Sequence, residues 1–274
     1  MIDRDYMRED FGGNRGSFQG FLPSLSPCVK WIIIINIAVY LVTFLFVSSI
    51  NFLGLNTRTP YLFPIQIFTS LFVHSPTDLF HIFFNMLALY FFGTYVEGIL
   101  GTKRFLRLYF GAGIFGGIIF LVYCLILGKN AVAIGASGAV SGVVLYFCCL
   151  APMATIIFIF IPVKAWVFGA FWIFYALFSM INELRHFTVT HVAHAAHLGG
   201  AIFGILFWKY EGLVRGWIER WQYNQERKRR ESFLRDKKRM DELLDKVKRE
   251  GLHTLSEEER AFLQKMSQRL KKGF

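Results

Sequence analysis

Six apolar stretches, each about long enough to cross a bilayer, constrain this chain more than anything else in it. A spanning helix needs roughly 20 mostly apolar residues. Windows of that kind cover residues 29–49, 79–100, 105–127, 131–150, 165–181 and 191–208. In hydrocarbon every backbone N–H and C=O must be satisfied within the segment, so the windows are read as helices. The expected fold class is therefore all-α, a six-transmembrane-helix bundle. Residues 154–163 are also apolar, but Pro152 and Pro162 bracket a stretch too short to cross, read as a connection or the opening of the fifth span. Composition agrees, because 54% hydrophobic residues with 31 phenylalanines exceed what a soluble domain of 274 residues can bury.

Charge divides the chain further. Nineteen of the 30 Lys and Arg lie from Lys209 onward, together with 12 of the 19 acids. The expected organisation is a polar N-terminal segment (1–28), a membrane domain (29–208) and a basic helical tail (209–274). The first segment is not the short basic stretch of a cleaved signal, so the first apolar run is expected to be retained. With six spans, the ends shared by the N-terminus, Lys103–Arg107, Lys164 and the tail hold 27 basic residues, against Arg58, Lys129 and Arg185 on the other side. By the positive-inside rule both termini are expected to be cytoplasmic, in a multi-pass protein of the plasma membrane. Spans two, four and six then run in the same direction.

Polar residues inside a bilayer are costly and so are functional candidates. Span two carries His81 and Asn85, one helical turn apart; span four carries Ser137; span six carries His194 and His197. Ser137 and His197 each sit about six residues past their expected span starts, a depth of roughly 9 Å at 1.5 Å per residue. The pairs Gly138/Gly142 and Gly200/Gly204 follow these residues directly, and small residues four apart let helices approach closely. A hydroxyl, an imidazole in reach of it and donors for an oxyanion are the parts of an acyl-transfer site. Ser137 and His197 supply the first two, and Asn85, His81 and the Ser137 N–H the third. No Asp or Glu lies between Glu97 and Glu183, and those two are expected near the membrane surfaces, which leaves a Ser–His dyad without a carboxylate.

His81-Ile-Phe-Phe-Asn85, Gly135-Ala136-Ser137-Gly138 and Ala196-His197-Leu198-Gly199-Gly200 resemble, in order and spacing, the three signatures of the rhomboid intramembrane proteases. Glu97-Gly98-Ile99-Leu100-Gly101, with Arg104-Phe105 and Tyr109, resembles the family's connection between spans two and three. The resemblance implies a rhomboid-like bundle with no cofactor and catalytic Ser137 and His197, with His81 and Asn85 in the oxyanion region. It also implies single-span membrane-protein substrates, cut near their outer end. The first outer loop (50–77) departs from many members, having Arg58 but no tryptophan.

Blander readings compete at several positions. Ser141 is read as a packing serine, and His74 and His186 as loop residues meeting water. His191, His194 and His197 would be a loose metal set with no paired carboxylates, so no metal is expected. A catalytically silent client-binding relative would have lost the serine or histidine, and a transporter would need charged groups along a path. In the tail, Trp217, Trp221 and Arg227–Arg230 suit anionic lipid or a cytoplasmic partner, and 12 interleaved acids argue against nucleic acid. Gly251 is expected to end one tail helix, and Ser256 with Glu259 to form the capping box of the next.

Overall fold

The computed structural model describes residues 24–158, 160–186 and 193–271; the expected segment 1–28 falls mostly outside them, as does His191. The protein is all-α. Helix α1 (Pro27–Leu45) starts with proline, whose missing N–H costs nothing in a first turn. A short helix α2 (Phe63–Thr69) lies in the first loop, followed by α3 (Leu79–Leu100), which holds one π turn at Leu89–Gly93. Helices α4 (Thr102–Leu127), α5 (Ser137–Leu150) and α6 (Ala165–His186) come next. The last two are α7 (His194–Glu250) and α8 (Glu257–Lys271). Among the described residues α1, α3, α4 and α6 are long and apolar enough to cross a membrane; α5 is apolar but shorter. Trp31, Leu41, Phe80, Phe84 and Phe174 stand exposed on them, which only a lipid surrounding makes tolerable. Close packing of α4 against α5 forms the centre, around Leu108, Tyr109, Val140 and Val143.

Two helix starts differ from the expected windows. Helix α5 begins at Ser137 rather than at 131, because Val132–Ala133 (β2) pairs antiparallel with Leu55–Asn56 (β1), Leu55 opposite Ala133. Gly135 then turns the chain with φ of 117°, a conformation that glycine alone adopts without cost. Helix α7 begins at His194. Ser137 is thus a first helical residue and His197 a fourth, so helix rise counted from the expected starts does not measure their position. The site lies where the N-terminal ends of α3, α5 and α7 meet. Residues 155–164, rich in β-branched side chains, form a hairpin of β3 (Thr155–Phe158) and β4 (Ile161–Lys164) instead of opening the fifth span.

Gln66 organises the first loop. Its side chain is fully buried; Oε1 accepts from Asn56 N–H (3.1 Å), and Nε2 donates to Phe52 O (3.2 Å), Asn51 O (3.4 Å) and Thr59 Oγ1 (3.1 Å). This holds β1 in place to pair with β2, three residues ahead of the Gly135 turn. A Gln66→Leu variant keeps the volume but strands these groups, so it should lose about 2–3 kcal/mol of stability. Unfolding in micelles against wild type measures it.

The chain divides into two compact units, residues 1–209 and 210–274. In the second unit α7 ends at Gly251, whose φ is 90° and whose N–H reaches Val247 O. The expected capping box forms: Glu259 N–H donates to Ser256 Oγ (3.2 Å) and Ser256 N–H to Glu259 Oε2 (2.8 Å). Among the described residues Leu243, Leu255 and Met266 are the buried apolar ones here, with Arg239 over the Phe262 ring at 4.9 Å.

Candidate active site

Ser137 Oγ and His197 Nε2 are 2.6 Å apart, although 60 residues separate them in sequence. Glycine makes that approach possible. A Cβ on Gly200 would collide with the carbonyl oxygen of Gly138, and one on Gly204 with that of Gly142, so α5 and α7 touch backbone to backbone. The two glycine pairs read from the sequence are therefore the contact surface itself. Ser141, one turn below, donates to Ser137 O (2.7 Å) and accepts from Trp172 Nε1 (3.2 Å), which ties α6 to the same helix.

His81 faces Ser137 across Gly135. A Cβ on Gly135 would come within 2.6 Å of His81 Nε2 and 3.6 Å of Ser137 Oγ. The start of α3 is fixed by Asp78, whose side chain accepts from His81 N–H at 3.3 Å. Asn85 is nearly buried, one turn further on, and its Nδ2 donates to His81 O at 2.7 Å. One of its two amide hydrogens is thereby spent on its own helix. The first amides of α5, from Ser137 onward, have no intrahelical acceptor. Ser137, His197 and His81 thus come from three helices into one place, and Asn85 lies one turn along α3 from His81. His194 does not touch Ser137; it packs edge-on to Tyr175 and His197, with centroids at 5.7 and 6.1 Å.

One polar residue sits otherwise than the sequence suggested. His74, read as a loop residue meeting water, is completely buried against the site. Its burial follows from the fold of loop 1, which leaves no periodic signal in the sequence. Glu97 and Glu183, expected near the membrane surfaces, stand near the ends of α3 and α6, and both are buried. Glu97 accepts from Ser26 Oγ, Cys28 N–H (3.2 Å), Val29 N–H (3.0 Å) and Thr102 Oγ1 (2.8 Å), and so caps the open start of α1. Glu183 meets the Tyr123 hydroxyl at 3.1 Å.

A helical membrane bundle with a serine and a histidine joined at helix ends defines the class of intramembrane protease-type folds. The family model of the rhomboid domain matches residues 64–211, over half of the chain, and the chain belongs to the rhomboid family. It is 34% identical over 151 residues to the rat presenilin-associated rhomboid-like protein, mitochondrial, covering 52% of this chain and 40% of that protein. It is 35% identical over 148 residues to rhomboid protein 1, mitochondrial, of Saccharomyces cerevisiae (53% and 41%). To the Arabidopsis RHOMBOID-like protein 12, mitochondrial, it is 31% identical over 157 residues (51% and 44%). The chain spans about two-fifths of the length of these relatives. Their mitochondrial residence overturns the plasma-membrane expectation and the cytoplasmic label given to both termini. Loop charge ranks the two faces of a membrane against each other and is silent on which membrane it is.

Proposed function

We propose that the chain is an active intramembrane serine endopeptidase that cuts single-span membrane proteins, and the 2.6 Å contact between Ser137 and His197 carries the reading. In this mechanism Ser137 Oγ attacks the scissile carbonyl carbon while His197 Nε2 takes its proton. The carbonyl oxygen, now an oxyanion, is held by Ser137 N–H, His81 and the second Asn85 amide hydrogen. His197 returns the proton to the leaving amine as the C–N bond breaks. Water then attacks the acyl ester with His197 again as base, freeing Ser137. No step needs a metal or cofactor.

A stable substrate helix hides its carbonyls in i to i−4 hydrogen bonds, so attack requires local unwinding. Substrates should therefore carry Gly, Pro or other helix-weakening residues near the end of their span on the face where α3, α5 and α7 begin. Full-length protein in detergent, incubated with single-span substrates that do and do not carry such residues, tests the reading. Cutting confined to the weakened substrates supports it; no cut in any, together with no labelling by a fluorophosphonate, ends it. Asn85→Ala should slow turnover less than the 10²–10³-fold expected of a sole oxyanion side chain, because His81 and a backbone N–H share the load. The variant's steady-state kcat on the best substrate measures this, and an unchanged kcat removes Asn85 from the site. Anionic lipid or a protein partner at the tail completes the proposal; its basic residues are interleaved with acids, which disfavours nucleic acid.

A further inference from the structure

His74 lies on the first loop, between α2 and α3, and its ring nitrogens meet Phe72 and Ala136 rather than Ser137 or His197. Its ring thus spans the loop and the turn that leads into α5. Nδ1 lies 3.4 Å from Phe72 O, and Nε2 accepts from the Ala136 N–H, also at 3.4 Å. A carbonyl can only accept and an amide N–H can only donate. The two contacts therefore admit one tautomer: Nδ1 carries the hydrogen and Nε2 is bare. An imidazolium would set an N–H against the Ala136 N–H. Burial, and then the neighbouring His81, push the pKa of His74 down to about 3, which keeps the ring neutral. The edge of the ring also packs on His81, centroid to centroid 5.0 Å.

Ala136 is the residue before Ser137. The preceding amide, Gly135 N–H, is taken by Ser70 O at 2.9 Å. Loop 1 thus occupies the two amides ahead of the serine, one through a backbone carbonyl and one through His74, and leaves the Ser137 N–H as the first amide open to a ligand. The His74 ring also supports His81, the other donor facing that place.

We propose that His74 is a positioning residue for the oxyanion site, which as a neutral Nδ1–H imidazole bridging Phe72 O and Ala136 N–H fixes both the Ser137 amide and the His81 ring. The proposal rests on the protease reading. It predicts a defect in the chemical step with substrate binding intact, since substrate never meets His74.

His74→Phe retains a flat ring but neither polar contact. Its kcat should fall about 10²-fold, the scale of a misplacement of about 1 Å, while KM stays within about twofold. Fluorophosphonate labelling of Ser137 should slow in parallel. His74→Asn carries an oxygen that can accept from Ala136 N–H and an amide that can donate to Phe72 O, and it should recover at least about a tenth of the wild-type rate. Nitrogen NMR of wild-type protein labelled at histidine should show one ring held as the Nδ1–H tautomer, its signal missing from His74→Asn. Wild-type labelling rates in His74→Phe overturn the proposal while leaving the protease reading intact, as would equal losses in the Phe and Asn variants. If His74→Phe does not fold, the tautomer decides, and an Nε2–H form at His74 overturns the proposal. A wild-type protein that neither labels nor cuts instead removes the protease reading itself.

Discussion

Ser137→Ala should abolish proteolysis and leave the fold almost unchanged. The hydroxyl is the nucleophile in the proposed mechanism, and with it goes the covalent route, so the residual rate should be at the limit of detection. The structural effect should be slight for a specific reason. Ser137 Oγ contacts His197, whereas the backbone bonds that hold the N-terminus of α5 run through Ser137 O to Ser141 Oγ and through Ala136 O to Val140 N–H. Alanine keeps both. His197→Ala should be as inactive, and the double variant no worse than either, because groups acting as one unit lose their effect together. Cleavage assays on purified single and double variants, with unfolding midpoints beside them, make the check. Substantial cutting by Ser137→Ala would show that another group attacks the substrate.

The four candidate site residues stand out in the sequence because the membrane makes polar residues scarce. In a soluble protein Ser137 would be one serine among many; between apolar runs it is conspicuous, and the glycines after it and after His197 give the reason for contact. What could not be read was the irregular backbone around it. Residues 131–136 are apolar enough to pass for the start of a spanning helix, and their true conformation depends on pairing with Leu55–Asn56, more than 70 residues away. A helix period carries no trace of such a partner. The same limit hid His74, whose burial follows from how loop 1 folds, and left residues 154–163 readable as a connection or as a span opening, where two paired strands form the connection. Glu97 and Glu183 do stand near span ends, and what the sequence leaves open is their partners: Glu97 is buried by the start of α1, which it caps.

Gly200→Ala should be among the most damaging single changes in the membrane unit, although it adds one methyl group. The Cβ would collide with the carbonyl oxygen of Gly138 and lie 2.8 Å from its carbon and 3.3 Å from its Cα. Every one of these atoms is backbone, so no rotamer change relieves the clash and α5 and α7 must separate. Ser137 and His197 sit on those helices at the same level, and a 2.6 Å hydrogen bond does not survive a shift of about 1 Å. Overpacking of a tight core costs typically about 1–3 kcal/mol, and the loss of geometry should cost far more in rate than in stability. Gly98→Ala is the control. It also lies in a helix, α3, but a Cβ there meets nothing within 4 Å, so alanine should be neutral or add up to about 1 kcal/mol from helix propensity. Gly113→Ala falls between the two, because the Cβ would press on the side-chain tip of Leu71, which can move. The three variants, compared by fluorophosphonate labelling and by unfolding in micelles, should rank Gly98 above Gly113 above Gly200 in both. Wild-type labelling by Gly200→Ala would mean that α5 and α7 stand further apart than their glycines indicate, and that the serine and histidine are brought together by something other than this contact.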